Sequence, residues 1–263
     1  MKLVPIHDPA EGPLRVAGLM SGSGTNIRKI LEYQEKQQAQ HGEAPFEMVV
    51  LFTDRADSQA IWIGKDYDLP VVVRDLEGFC ARRGISRRDL EAREEFDRQT
   101  VLSLAPYAVK AAAYGGYMSI ATSPLIRAFL GVNVHPADLS IEGRDGRRKF
   151  VGDHAVRDAI VAGERTIAST THIIEPEVDE GQILMISSAM KVVLKPEWDL
   201  GKSADLERVE AFNQERLKEH GDWIIFPRTL EDLARGKFAR DEDDNLYYEE
   251  KPVPRGWRLP SGS

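Results

Sequence analysis

Two side chains close together in the sequence, Asn133 and His135, are of the types that stabilise a developing oxyanion. They follow an apolar run at residues 125–130. A spacing of two residues places both side chains on the same side of an extended strand. An amide and an imidazole held in this way can donate hydrogen bonds to a single oxygen on which negative charge develops. The pair alone also fits residues that merely cap a loop, so the interpretation depends on two further segments.

The first of these segments, at residues 20–26, is glycine-rich and lies between a predicted strand and a helix that we expect to begin near Thr25. Glycines let backbone N–H groups approach an anion, and a helix N-terminus favours negative charge. The dinucleotide-binding fingerprint needs a third glycine where this chain has Ile27, and the lysine of a phosphate-binding P-loop is also missing. The segment therefore favours a compact monophosphate site, with a tight turn that binds nothing as the alternative. The residues concerned are Gly22, Ser23, Gly24, Thr25 and Asn26.

The second segment is an acidic turn at residues 177–181, which contains Asp179. A carboxylate here can orient the imidazole of His135 and raise its protonated fraction, because a nearby negative charge favours the cation. It can also help to move a proton through a bound water. An ordinary turn aspartate before Gly181 is the alternative. His172, on the β-rich run before this turn, is interpreted as a core histidine or one that supports the same cleft.

Apolar runs alternate with helical patterns along most of the chain. Their continuous apolar character favours an α/β fold with a mostly parallel twisted sheet and helices on both faces. We divide the chain into an N-terminal arm (1–14), a catalytic domain (15–237) and a C-terminal hairpin and tail (238–263). The pattern predicts strands at residues 15–20, 46–52, 70–73, 110–114, 166–174 and 182–193, and helices at residues 57–67, 88–104, 153–162, 204–219 and 223–235.

Composition excludes several classes of protein. The 263 residues are 42% hydrophobic and 30% charged, which is ordinary for a globular protein with a substantial core. The net charge of −8 argues against non-specific binding to nucleic acid or to an acidic membrane. Cys80 is the single cysteine, so an intrachain disulfide and a thiolate metal cage are excluded. Since no stretch reads as a membrane span or a signal peptide, we expect a cytoplasmic enzyme.

Several segments carry a family resemblance by their order and spacing: residues 21–26, 52–57, 116–118, 133–136 and 179–181, with the seven-residue step from His172 to Asp179. Together they resemble the folate-dependent formyltransferases, from Val16 to about Lys237. The resemblance implies a Rossmann-like sheet and transfer of a formyl group from 10-formyltetrahydrofolate to a primary amine of a phosphorylated small molecule. The chain is most similar to the purine-biosynthesis branch of the family, whose acceptor is phosphoribosylglycinamide.

The resemblance also implies roles for individual residues. Asn133, His135 and Asp179 would be catalytic, and residues 22–26 would hold the phosphate of the acceptor. His172 and Glu219 would support the catalytic group. No metal, nucleic acid or membrane is implied, and the oligomeric state is left open. The folate-binding positions would be Tyr117, Met118, Val178 and Glu180.

Two departures from the family pattern border the folate or acceptor pocket. The family usually continues after His-Pro with Ser-Leu-Leu-Pro and a Tyr-Pro-Gly turn, whereas residues 137–140 lead here into a basic loop at residues 142–150. The basic residue that usually follows the Gly-aromatic-Met segment is Ser119 here. The alternatives are therefore a different amine acceptor and a formyltetrahydrofolate hydrolase. From another class, an NAD-dependent oxidoreductase would use Asp54 as its ribose anchor.

Overall fold

The computed structural model describes residues 2–260, so Met1 of the predicted arm and residues 261–263 of the predicted tail lie outside the described part. The helices are α1 (Thr25–His41), α2 (Ala60–Asp66), α3 (Leu76–Arg83), α4 (Leu90–Leu104), α5 (Ser123–Ala128), α6 (Ala155–Val161), α7 (Ser203–Leu217) and α8 (Trp223–Ala234). A π-helical segment, Lys218–Asp222, joins α7 to α8, and short 3₁₀ turns lie at Pro9–Glu11 and Ala105–Tyr107.

The strands are β1 (Val4–Pro5), β2 (Leu14–Met20), β3 (Phe46–Thr53), β4 (Val71–Val73), β5 (Ala111–Tyr114), β6 (Leu130–His135), β7 (Thr166–Ile167), β8 (Thr170–Ile173), β9 (Ile183–Ile186), β10 (Met190–Lys191), β11 (Phe238–Arg240), β12 (Leu246–Tyr248), β13 (Lys251–Pro252) and β14 (Trp257–Arg258). Eight of them form one sheet in the order β14-β9-β8-β6-β5-β2-β3-β4. All of these neighbours pair in parallel except β8, which is antiparallel to both β6 and β9. The predicted α/β fold with a mostly parallel sheet is confirmed.

The central strand β2 shows why the sheet is covered on both faces. Its side chains alternate between the two faces, as in any extended strand. Val16 and Met20 pack into a core shared with α1 and α8. Ala17 and Leu19 pack into a second core shared with α3 and α4. A strand buried on both sides must be apolar throughout, which is the pattern its sequence has.

The chain termini depart from the prediction in an informative way. The predicted arm contributes β1, which pairs with β11 in a small antiparallel sheet of order β1-β11-β12-β13. The C-terminal segment then returns to the main sheet, where β14 pairs in parallel with β9. The C-terminal segment therefore belongs to both sheets, because β13 pairs with β12 and β14 pairs with β9.

Two predicted strands were wrong, because each is divided between two sheets. Residues 166–174 form β7 and β8, and residues 182–193 form β9 and β10. Strands β7 and β10 pair in a separate two-stranded sheet, whereas β8 and β9 belong to the large sheet. Helix α3 was not predicted, although Leu76, Phe79 and Cys80 are buried on it. Its eight residues carry too few turns for a clear helical period.

The order of the strands defines where a ligand can bind. The chain moves from β2 to β3 on one side, whereas β5 lies on the other side of β2. Parallel sheets leave a crevice outside the carboxyl ends of the strands at such a reversal. The glycine-rich segment follows β2, residues 115–121 follow β5, and Asn133 and His135 end β6. Among residues 2–260, the structure contains no helix long and apolar enough to cross a membrane.

Candidate active site

A cavity of about 510 Å³ opens at this edge of the sheet. Three walls surround it: the glycine-rich segment after β2, the segment after β5, and the turn between β8 and β9. Most of the predicted site residues line it, namely Gly22, Ser23, Gly24, Thr25, Asn26, Tyr117, Met118, Asn133, His135, His172, Val178 and Asp179.

Strand β8 explains how His172 reaches the catalytic pair. In the antiparallel pairing of β6 with β8, Asn133 lies directly opposite His172. Residues that face each other in this way project to the same side of the sheet. The Asn133 Nδ2 atom is accordingly 3.1 Å from His172 Nε2, and His172 Nδ1 is 2.9 Å from the carbonyl oxygen of Ile173. Because a carbonyl only accepts, Nδ1 donates to it, and in the tautomer with its proton on Nδ1 the ring accepts the Asn133 amide hydrogen at Nε2.

His135 is buried, with 4% of its surface exposed, and both of its ring nitrogens face oxygen atoms. Nε2 lies 2.8 Å from the carbonyl oxygen of Phe150, so it carries a proton that it donates there. Nδ1 lies 3.4 Å from Oδ2 of Asp179. A proton taken up at Nδ1 would therefore meet a carboxylate immediately.

Asp179 joins the two histidines. Its Oδ1 lies 3.4 Å from His172 Nε2, and its Oδ2 accepts a hydrogen bond of 2.8 Å from the backbone N–H of Gly152. The backbone of Asp179 is left-handed, with φ of 57°, a conformation that aspartate tolerates better than most residues. Two residues later, a Cβ on Gly181 would lie 1.8 Å from the carbonyl oxygen of Ile173, so only glycine fits there. The sequence Asp-Glu-Gly is thus the form that this turn requires.

The pKa values of the Asp179 carboxylate and the His135 imidazole are both lowered, which leaves the first group charged and the second neutral. Burial disfavours ionisation of Asp179, but the contact with His172, the charge that His135 carries when it is protonated and the Gly152 N–H outweigh burial and lower the pKa of Asp179 to about 2. Burial lowers the pKa of His135 below its ordinary value of 6.5, against the opposing effect of Asp179. The resting site therefore holds an ionised Asp179 beside a neutral His135. Asp179 does raise the pKa of His135, as the sequence predicted, but burial has the larger effect and lowers it.

The glycine-rich segment forms the opening of α1. Gly24 is the N-cap, with φ of 66°, and its left-handed backbone turns the chain into the helix. Helix α1 has 17 residues, so its N-terminus presents free N–H groups and a partial positive charge to the cavity. The side chain of Asn26 donates a 3.4 Å hydrogen bond to Asp222, and its Oδ1 is buried without a partner.

The wall after β5 is held by a buried aspartate. Asp54 accepts hydrogen bonds from Ser21, at 2.6 Å, and from Ser119. The Oγ of Ser21 in turn accepts the backbone N–H of Met118 at 2.9 Å. Met118 is 69% exposed, and Val178, on the turn between β8 and β9, is 57% exposed. Exposed apolar side chains that line a cavity suit a flat aromatic ligand.

Two predicted residues lie outside the cavity, and several lining residues were not predicted. Glu180 is exposed and faces Arg148, and Glu219 is exposed on the π-helical segment. The cavity instead receives Gln214, Lys218 and the buried Asp222. These three residues are spaced four apart, so they lie on one face of the helical segment, and Glu219 lies on another. The sequence signal that could have predicted Asp222 is its place directly before the apolar run that begins at Trp223.

The comparisons with known proteins agree with this geometry. The family model described as formyl transferase matches residues 14–199, which is more than half of the chain. The chain belongs to the formyl transferase family. The matched region extends from β2 through the glycine-rich segment and the catalytic pair to the Asp179 turn.

Curated relatives are similar to this protein over most of the chain. The phosphoribosylglycinamide formyltransferase of Haemophilus influenzae is 26% identical over 243 residues, which is 92% of this chain and 96% of that protein. The enzyme of the same name from Mycobacterium tuberculosis is 27% identical over 68% of this chain and 73% of its own length. A trifunctional purine biosynthetic protein of Drosophila melanogaster is 25% identical, and the chain spans 14% of its length.

Solved structures show the same fold. The phosphoribosylglycinamide formyltransferase of Coxiella burnetii has a TM-score of 0.68 at 21% identity, with 94% of this chain and 100% of that chain covered. A glycinamide ribonucleotide transformylase from Symbiobacterium toebii has a TM-score of 0.64 at 24% identity, with 90% and 94% covered.

Membership of the formyl transferase family settles the class of enzyme. The protein is a formyltransferase, and the NAD-dependent oxidoreductase alternative is not supported. The oxidoreductase alternative needed Asp54 as a ribose anchor, but Asp54 is 1% exposed and is engaged by Ser21 and Ser119. Among residues 2–260, no group of three or more His, Cys, Asp or Glu side chains is placed to hold a metal ion.

Proposed function

We propose that this formyltransferase transfers the formyl group of 10-formyltetrahydrofolate to the primary amine of phosphoribosylglycinamide, a step of purine biosynthesis. The observation that carries the proposal is the convergence of Asn133, His135, His172 and Asp179 on one cavity between an anion-binding turn and an apolar wall. The names of the relatives that match over most of the chain support the same pair of substrates. With these substrates the enzyme would act in the cytoplasm.

The two ends of the cavity suit the two substrates. The acceptor's phosphate would accept hydrogen bonds from the N–H groups at the start of α1, at residues 22–26. The pterin ring would lie between the apolar walls and bond to backbone groups near Met118 and Val178, beside Tyr117. This arrangement brings the acceptor's amine and the formyl carbon together near Asn133.

Asn133 has the donor that the reaction needs. The amine nitrogen forms a bond to the formyl carbon, and the carbonyl π electrons move to the oxygen to give a tetrahedral oxyanion. An amide has two N–H donors, of which Asn133 uses one on His172. The other can stabilise the oxyanion from a fixed position, which lowers the barrier without reorganisation.

His135 and Asp179 manage the proton. The attacking nitrogen becomes positively charged and must lose a proton, while N10 of the folate must gain one as its bond to the formyl carbon breaks. Neutral His135 can accept that proton at Nδ1 through a water, and the resulting cation is stabilised by Asp179 and by the Phe150 carbonyl. Return of the proton to N10 releases tetrahydrofolate and leaves the formyl amide.

The test is a direct assay. The protein is mixed with 10-formyltetrahydrofolate and phosphoribosylglycinamide, and the loss of the formyl donor is followed. We expect turnover that is reduced by about 10²–10⁴ in His135→Ala, because general acid–base catalysis contributes that factor, and a comparable loss in Asp179→Asn. Glu219→Gln is the matched control, because Glu219 is exposed outside the cavity, and its turnover should equal that of the wild type.

Three other outcomes of this assay would each change the conclusion. Donor consumption without an acceptor would show a hydrolase. Turnover only with another phosphorylated amine would show that the acceptor differs, as the unusual residues after Pro136 suggested. No donor consumption with any acceptor, and no folate binding, would contradict the proposal.

A further inference from the structure

The basic loop folds into a hairpin that reaches the catalytic group. Its two sides are joined by a bridge between Glu142 and Arg148 and by a 2.9 Å hydrogen bond from the Lys149 N–H to the Ile141 carbonyl. The next residues touch the catalytic side chains: the carbonyl of Phe150 accepts from His135, and the N–H of Gly152 donates to Asp179. A single short segment therefore contacts both catalytic groups.

Arg148 turns inward from this hairpin. Its side chain is 15% exposed, whereas its neighbours Arg144 and Arg147 are exposed. The guanidinium donates to the backbone carbonyls of both Asp179 and Gly181, the latter at 2.8 Å. Its nearest carboxylate, Glu180, is 3.7 Å from Nε and lies on the same turn. These three contacts of the Arg148 side chain are thus all made to residues 179–181.

The geometry of the turn explains what these contacts do. Asp179 has a left-handed backbone, which costs free energy in residues other than glycine and persists only when the surroundings fix it. A guanidinium is a planar fork of donors that can bridge two carbonyls in a fixed orientation. By bridging residues 179 and 181, Arg148 fixes the backbone on both sides of the Glu180 peptide. The direction of the Asp179 carboxylate toward His135 follows from that backbone.

We propose that Arg148 is a positioning residue for catalysis, which acts by holding the Asp179 turn against the hairpin. This inference rests on the proposed formyl transfer. Arg148 does not line the cavity, so it acts through Asp179 and not on either substrate. Arg148 lies in the basic loop, where the family usually has a Tyr-Pro-Gly turn. The contact that holds the Asp179 turn therefore comes from a segment in which this chain departs from the family pattern.

Steady-state kinetics of three variants test the role. In Arg148→Ala we expect kcat to fall by about 10²-fold, which is typical when a catalytic group is displaced by about 1 Å, while both KM values change by less than about threefold. Arg148→Lys should have an intermediate kcat, because an ammonium can reach one carbonyl but cannot span two. Arg147→Ala, on the same hairpin and exposed, should match the wild type. A raised KM with unchanged kcat would overturn the proposal.

A double-mutant cycle separates positioning from a general structural effect. If Arg148 acts through the Asp179 carboxylate, then adding Arg148→Ala to Asp179→Asn should cost less than about threefold in kcat, because the two residues act as a unit. The same loss in both backgrounds would overturn the inference. Thermal unfolding midpoints identify any variant that fails to fold, in which case Arg148→Lys carries the comparison.

Amide hydrogen exchange tests the contact without any assay of activity. The Gly152 N–H is held by Asp179, so its protection should fall in Arg148→Ala and stay unchanged in Arg147→Ala. Unchanged protection in Arg148→Ala would overturn the inference. An inactive wild type would contradict the proposed function alone, because the exchange measurement would still decide whether Arg148 fixes the turn.

Discussion

In the proposed mechanism, Asn133 combines two tasks in one amide group. One N–H contacts His172, which orients the side chain, and the second would stabilise the oxyanion. Removal of one oxyanion donor typically lowers turnover by about 10²–10³-fold. We therefore expect this loss of kcat in Asn133→Ala, measured by consumption of the formyl donor. Asn245→Ala, in an exposed turn far along the chain, is the control, and an equal loss there would contradict the assigned role.

His135 makes the pH dependence of the enzyme informative. Burial favours its neutral form, so catalysis by that form is present above its pKa and is lost as the pH falls through it. Because the pKa is lowered from 6.5, the acid limb of the kcat profile should have its midpoint below pH 6.5. Asp179 stays ionised until about pH 2 and does not determine this limb. A midpoint above 6.5 would contradict a neutral resting His135.

Replacement of the neighbouring carboxylate gives a second test of the same electrostatics. Asp179 opposes the effect of burial on His135, so Asp179→Asn should move the NMR titration of His135 to lower pH. Glu180→Gln removes the adjacent carboxylate, which faces Arg148 outside the cavity, and should leave that titration in place. A shift to higher pH in Asp179→Asn would contradict the assigned effect of the carboxylate, which raises the pKa of His135.

The residue pattern predicted that Asn133 and His135 lie together, but it did not predict the direction in which the pKa of His135 is shifted. A spacing of two on a strand was sufficient to place Asn133 and His135 together, since side-chain direction in a strand is fixed by geometry. The carbonyl of Phe150 could not be foreseen as a partner of His135, because it belongs to an irregular loop. The direction of the His135 pKa depends on the depth of burial, which a pattern of residue types does not contain.

At the scale of elements, the turn between β8 and β9 depends on one glycine. A Cβ at position 181 would overlap the carbonyl oxygen of Ile173, so Gly181→Ala must displace the turn and with it Asp179. We expect kcat to fall by about 10²-fold in this variant, because small displacements of a catalytic group have effects of that size. Gly201→Ala, on an exposed loop, should retain wild-type kinetics. Full activity of Gly181→Ala would show that the turn adapts.

The elements that the sequence predicted are those with a clear hydrophobic pattern. The strands of the parallel sheet have continuous apolar runs, and their carboxyl ends had to meet at one edge, so the place of the cavity followed. The π-helical segment at residues 218–222 was not foreseeable, because its hydrogen-bonding shift leaves no mark in a 3.6-residue pattern. Gln214, Lys218 and Asp222 are spaced four residues apart and share the face toward the cavity, whereas Glu219 lies on another face.

At the scale of the whole molecule, the C-terminal strand ties the small sheet to the large one. Trp257 on β14 stacks on Tyr248 of β12, with ring centroids 4.7 Å apart, while β14 pairs with β9. Trp257→Ala should lower the free energy of unfolding by about 1–3 kcal/mol, less than for a fully buried aromatic. Trp62→Ala is the control, because Trp62 is 58% exposed and surface changes are usually within about 0.5 kcal/mol. Denaturant unfolding measures the free energy of unfolding of both variants. Equal losses in the two would contradict a stabilising role for the contact between Trp257 and Tyr248.

The register of β8 against β6 limits the insertions and deletions that this enzyme can accept. Because side chains alternate along a strand, a slip of β8 by one residue against β6 would turn the His172 imidazole to the opposite face and disconnect it from Asn133 and Asp179. Segments outside the strand have no such parity, as the long basic hairpin illustrates. Length variation in descendants of this protein should therefore accumulate on either side of these four residues, and single-residue insertions within them should be eliminated by selection.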